Sequence, residues 1–109
     1  MPGLSPARRR ELKARAHVLD PVVLIGGEGL SSSVLAEIDR GLKAHELIKV
    51  RTRDTDRPTR EVLLEEICRS TGAQPIQHIG KILVIFRQNP ELEEPRPVIN
   101  ARRNVRRRR

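Results

Sequence analysis

The sequence has no tryptophan, no tyrosine and a single phenylalanine, Phe86. A broad aromatic platform on which successive bases stack, as in RNA-recognition-motif domains, is thereby excluded. Any contact to a polynucleotide has to run through backbone groups, charge and shape. Cysteine is as scarce: Cys68 stands alone, so no internal disulfide forms and nothing points to an oxidising compartment. Long hydrophobic runs are missing too. No segment approaches membrane-spanning length, and Arg8 to Arg10 are not followed by an apolar stretch of signal-peptide length. The expectation is a cytoplasmic protein with no membrane contact. The three histidines, His17, His45 and His78, are scattered and give no metal-ligand spacing. Cys68 falls on an apolar helix face, where a cysteine acts as a small hydrophobe. No catalytic residue, metal or cofactor is therefore expected.

What the chain has in excess is positive charge, 22 Lys and Arg against 14 Asp and Glu in 109 residues. Residues 1–90 carry 15 against 11 and residues 91–109 carry 7 against 3, so both parts are basic. Such a surplus draws a protein to nucleic acid or another anionic surface through long-range attraction and counterion release. Residues 91–109 combine glutamates, prolines and the run Arg106 to Arg109 with too little apolar content to offset the entropy of ordering. They read as a disordered basic tail behind one domain, residues 1–90, which is long enough for a single modest core.

That domain is organised around Pro21 to Leu42. The uncharged run Val22 to Ile25 suits a buried strand; Gly26, Gly27, Glu28 and Gly29 make a turn; Leu30, Val34, Ile38 and Leu42 then recur every four residues, as on one helix face. Ser31, Ser32 or Ser33 can cap that helix. Glycines here let the backbone turn sharply and leave its N–H groups approachable at the positive end of the helix, a corner that favours phosphate. On its own the turn is more simply a tight connection of the kind many α/β proteins make with no ligand.

Before it, Ser5 and Pro6 open a basic helix to His17, with Leu12, Ala16 and Leu19 on one face and Arg8, Arg9, Arg10, Lys13 and Arg15 on the other. Behind it, Leu47 to Arg51 alternates as a strand that puts Lys49 and Arg51 on one wetter face. Asp54 to Pro58 carries helix-start chemistry, Val62, Leu63, Ile67 and Cys68 repeat at helical spacing, and Gly72 ends that helix. Gln74 to Ile79 and Ile82 to Arg87 form a hairpin about Gly80 and Lys81. His78 fits packing at the sheet surface. The order α-β-α-β-α-β-β predicts an α/β fold with helices packed on a four-stranded mixed sheet. The second and third helices are expected on one face and the first helix on the remaining apolar surface.

Several segments in this order resemble the CRM domain, found in bacteria as stand-alone YhbY-type RNA-binding proteins. They are Ala16–His17; Pro21 to Gly26; Gly29–Leu30; His45 to Val50; Thr71 to Ala73; and Ile79 to Val84. The resemblance runs from about Leu4 to Arg87. It implies a fold similar to the C-terminal domain of translation initiation factor three, with Gly26 to Gly29 as a KH-like GxxG loop. It also implies ribosomal RNA, in precursors of the large subunit, as the partner. The family usually carries a basic residue inside the loop, whereas this chain has Gly27 and Glu28. The loop's part is then geometric, and the charge comes from Lys49, Arg51, Lys81, Arg87 and the first helix.

The candidate RNA-binding set is Gly26, Gly27, Glu28, Gly29, Leu30, Ser31, Lys49, Arg51, Lys81, Arg87, Arg8, Arg9 and Lys13, in a monomeric, non-enzymatic protein. One alternative is a ribosome-associated docking module whose charge only localises it. A nucleotide-binding enzyme ranks lower, because neither GxGxxG nor GxxxxGK[ST] is present.

Overall fold

Ser5 accepts a hydrogen bond from the Arg8 amide through its hydroxyl, and the first helix, α1, runs Pro6–Ala16 behind that cap. The computed structural model describes residues 4–53 and 55–89; the tail read as disordered lies outside them. The other elements are β1 (Val23–Ile25), α2 (Ser32–His45), β2 (Leu47–Thr52), α3 (Arg57–Thr71), β3 (Gln74–Ile79) and β4 (Ile82–Phe86). They form one mixed sheet in the order β1-β2-β4-β3, with β1 parallel to β2 and both other pairings antiparallel. β3 therefore runs parallel to β2, with β4 between them. The expected α/β architecture is the one observed.

Two cores follow from strand alternation. Val23, Ile25, Ile48, Val50, Leu83 and Ile85 point to one face, where Ile38 and Leu42 of α2 and Ile67 of α3 close over them. Each of these helix residues is fully buried, so truncating one to alanine costs about 2–5 kcal/mol. On the other face Leu47, Ile76, Val84 and Phe86 meet Leu12 and Ala16 of α1. The four-residue stripe of α2 thus seats as predicted, Leu30 and Val34 packing at its margin.

Helix ends obey local chemistry. Ser31 is the N-cap of α2, its hydroxyl accepting from the Val34 amide at 3.1 Å, and Asp56 caps α3 by accepting from the Thr59 amide at 3.0 Å. α3 ends on Gly72 at φ 77°, a left-handed position that glycine occupies without strain. Cys68 packs against the larger core, and burial pushes its thiol up to about 11. It stays protonated at neutral pH.

Two details of the sequence reading are corrected. β1 is an edge strand open on one side, because α1 does not reach it: Val22 and Leu24 are half exposed. Alternation still buries Val23 and Ile25. In α3 the core-facing positions are Leu64, Ile67 and Cys68, while Val62 is 58% exposed. The real apolar stripe starts two residues later, since Ile67 anchors it and Leu64 lies one turn before.

Candidate nucleic-acid interface

The glycine corner forms where β1 leaves the sheet. The Gly29 amide donates to the Gly26 carbonyl at 3.1 Å, closing a tight turn with Gly27 and Glu28 at its exposed tip. Gly29 has φ 78°, so its lack of a side chain serves the turn. Gly26 and Gly27 are different: both have ordinary negative-φ backbone, and a Cβ at either would meet nothing within 4 Å. Nothing inside the fold requires glycine there. The bare peptide is exposed, and α2 starts at Ser32 just behind it, with first-turn amides that have no carbonyl partner within the helix.

Basic side chains gather around this corner through strand register. β2 runs beside β1, and the Arg53 amide extends their ladder by donating to the Ile25 carbonyl at 3.1 Å. Arg53, Thr55, Thr59 and Leu63 border an open depression of about 350 Å³ whose near wall is Gly26 to Gly29. Arg53 also borders the adjoining depression, together with Leu24, Arg51, Thr52 and Lys81. The β3–β4 turn is held there by Thr52, the one buried polar residue among those described. Its amide and its hydroxyl both donate to the Lys81 carbonyl, at 2.8 and 3.2 Å. Farther along the same sheet face, Lys13 and Lys49 border a third depression with His17 and Gln77.

The candidate residues therefore divide. Gly26, Gly27, Glu28, Gly29, Arg51 and Lys81 cluster at one end of the sheet, with Lys49 and Lys13 on the face leading away from it. Leu30 turns its side chain into the core margin, and Ser31 Oγ accepts the helix-cap bond and lies 3.2 Å from Ser33 Oγ.

Arg87, Arg8 and Arg9 are not brought to this end. Arg87 donates to Asp39 Oδ1 at 2.8 Å and to the Thr71 carbonyl at 2.7 Å, tying β4 to the helix layer with its side chain only 19% exposed. Its guanidinium holds the Asp39 carboxyl below the ordinary value of 3.8. Arg9 donates to the Pro75 carbonyl at 2.9 Å, while Arg8 pairs with Glu11 at 2.7 Å and lies over the Phe86 ring at 5.3 Å. These three cations hold elements together. Arg53 was missed because the sequence pattern ends the strand at Arg51. Extending the Arg-Thr-Arg alternation by two residues would have found it.

His78 faces α3 rather than the basic face. Its Nε2 accepts from Arg60 Nε at 3.1 Å, and Arg60 also donates to the Thr55 carbonyl. Arg60 thereby steadies the loop that borders the glycine corner.

The sequence model of the CRS1 / YhbY (CRM) domain matches residues 4–87. The chain belongs to the CRM-domain family. A Haemophilus influenzae relative named RNA-binding protein is 46% identical over 91 residues, covering 84% of this chain and 92% of its own. A Pseudomonas aeruginosa relative, named as a probable RNA-binding protein, is 38% identical over 82% of this chain and 86% of its own. The solution structure of a hypothetical protein from Staphylococcus aureus superposes with a TM-score of 0.72 at 31% identity, over 80% of this chain and 91% of that one. Among the described residues no helix is long and apolar enough to cross a membrane.

Proposed function

We propose that this CRM-domain protein binds RNA by holding a backbone phosphate at the Gly26 to Leu30 corner, with Arg51, Arg53 and Lys81 holding the flanking phosphates. The observation that carries this reading is the bareness of Gly26 and Gly27. Neither the backbone angles nor the neighbouring atoms ask for glycine, so the missing side chains serve something that arrives from outside. Arg53 borders the same depression as that bare peptide, and Arg51 and Lys81 border the one adjoining it. Phosphate contacts of this type position a strand and carry no base code, so shape and flexibility of the RNA supply the discrimination. The protein acts by binding and not by catalysis, in the cytoplasm.

Ribosomal RNA in a precursor of the large subunit is the RNA we assign, on the strength of the family resemblance. Crosslinking in cells followed by sequencing of the attached RNA tests that assignment: a discrete footprint on large-subunit RNA is expected, and a diffuse pattern over unrelated transcripts refutes it. The binding mode has its own test. Gly27→Asp sets a carboxylate into the corner without steric conflict, and Gly29→Asp does so at the left-handed position. Each is expected to weaken RNA binding about tenfold or more in a titration at fixed salt, by placing like charge beside phosphate. Unchanged affinity in the folded Gly27→Asp protein would remove the corner from the site and leave the docking-module reading in its place.

A further inference from the structure

The sheet face covered by α1 is only half covered. Leu12 and Ala16 close over Leu47, Ile76, Val84 and Phe86. Nearer the glycine corner, register aligns one residue from each of the four strands in a single transverse row. Leu24 stands opposite Arg51, Arg51 opposite Ile82, and Ile82 opposite Ile79. Alternation points all four to the α1 side. Leu24 is 51% and Ile79 54% exposed, Arg51 is exposed, and Ile82 is partly buried. Most other strand aliphatics of this protein are buried, so the row leaves a substantial part of its transfer free energy unrealised until something covers it.

We propose that this row receives the unpaired bases of a single-stranded RNA segment whose backbone is held at the glycine corner; the inference rests on the RNA-binding reading above. Three inter-strand spacings separate Leu24 from Ile79, about 14 Å, so the row can lie under more than one nucleotide. Its chemistry alternates aliphatic and cationic groups. Leucine and isoleucine offer flat apolar contact to base faces, and the Arg51 guanidinium stacks on a base or bonds a phosphate. A duplex keeps its base faces stacked inside, and its deep A-form groove excludes side chains. Only an unpaired strand presents base faces and phosphates together. The chain without a tyrosine or tryptophan thus has an aliphatic and guanidinium surface where other folds place aromatic rings.

Charge selects this occupant over a second copy of the chain. The described residues bordering three of the depressions on this face include Lys13, Lys49, Arg51, Arg53 and Lys81 and no carboxylate; Asp20, on a fourth, is matched there by Arg15 and outnumbered by these five cations beyond it. Face-to-face pairing of two copies would set those cations against each other, whereas a polyanion neutralises them.

The test compares an unstructured RNA strand of about ten nucleotides with the duplex of the same sequence, titrated by fluorescence anisotropy into the full chain at fixed salt. Wild type is expected to bind the single strand about tenfold or more tightly than the duplex. The double variant Leu24→Ser, Ile79→Ser is expected to lose about tenfold on the single strand while duplex affinity and salt slope stay unchanged. Leu24→Phe with Ile79→Phe is expected to gain severalfold, a change that loss of folding cannot imitate. Equal affinity for strand and duplex, or serine and phenylalanine pairs that both bind like wild type, overturns the proposal. So does sedimentation showing a wild-type dimer that the serine pair dissociates. If Gly27→Asp weakens binding and the serine pair does not, the row alone is refuted. If neither variant changes RNA affinity, the glycine corner as the RNA-binding site fails with it.

Discussion

The two ends of the sheet are both basic and differ in what their cations touch. At the end where β1 and β2 finish, Arg51, Arg53 and Lys81 border depressions open to solvent beside a bare peptide turn. At the opposite end Arg87, Arg9 and Arg8 are directed at Asp39 and Thr71, at the Pro75 carbonyl, and at Phe86 with Glu11. Charge count does not distinguish them. The difference teaches that an arginine's role is decided by whether carbonyls and carboxylates of its own fold lie within its reach. Where strands end in a helix layer they do, and where strands end in the glycine turn the Arg51 and Arg53 side chains border open depressions.

Substituting the open end as a group sharpens this contrast most. Arg51→Ala, Arg53→Ala and Lys81→Ala together should lower RNA affinity about a hundredfold at low salt and flatten the log–log salt dependence by roughly 2, as expected for three lost phosphate contacts on a single strand. Thermal melting of the Arg51→Ala, Arg53→Ala pair should stay near wild type. A full-affinity triple variant would break the comparison.

Arg87→Ala should do the reverse. It removes charge-assisted hydrogen bonds from a largely buried guanidinium and is expected to cost about 1–3 kcal/mol, a drop of several degrees in Tm, with RNA affinity unchanged well below the transition. A loss of affinity without a loss of stability would move Arg87 back into the binding set.

Smaller still is the effect expected for Glu28→Lys, which reverses the charge at the exposed tip of the loop. Affinity should rise a few fold and the salt dependence should steepen by about one contact. Weaker binding would mean that the Glu28 carboxylate itself engages the ligand.

The smallest effect is on pH. Arg87 keeps the Asp39 carboxyl below its ordinary value of 3.8, so the folded state holds the ionised form more firmly than the unfolded chain does. The stability this gives is complete above 3.8 and fades as pH falls through the lower folded value. Asp39 is 38% exposed, and screening by water keeps the term small. Melting between pH 5 and 2, compared between wild type and Asp39→Asn, should show a slightly shallower acid-side decline in the variant; parallel curves would exclude the linkage.

Much of the fold was legible because its signals are local. Ser5, Ser31 and Gly72 mark helix ends through their own side-chain or backbone chemistry, and Leu30, Val34, Ile38 and Leu42 keep one face whatever surrounds them. The hairpin about Gly80 and Lys81 follows from Gly80 at φ 56°. Val62 was misplaced because two overlapping helical spacings are equally good on paper, and only contact with the sheet favours the one containing Leu64. β1 was read as buried because apolar content says nothing about how far α1 reaches across the sheet.

For the candidate surface, the sequence by itself placed the glycine corner and the shared face of Lys49 and Arg51, since turn chemistry and two-residue alternation need no distant partner. Which arginines stand beside that corner was decided only by tertiary structure. Arg53 comes to it because β2 runs one step past its apparent end, and Arg87 leaves it because Asp39 and the Thr71 carbonyl, remote in the chain, converge on its guanidinium. The open row from Leu24 to Ile79 likewise exists only once four strands are in register, because its members are neighbours across hydrogen-bonded pairs and never along the chain.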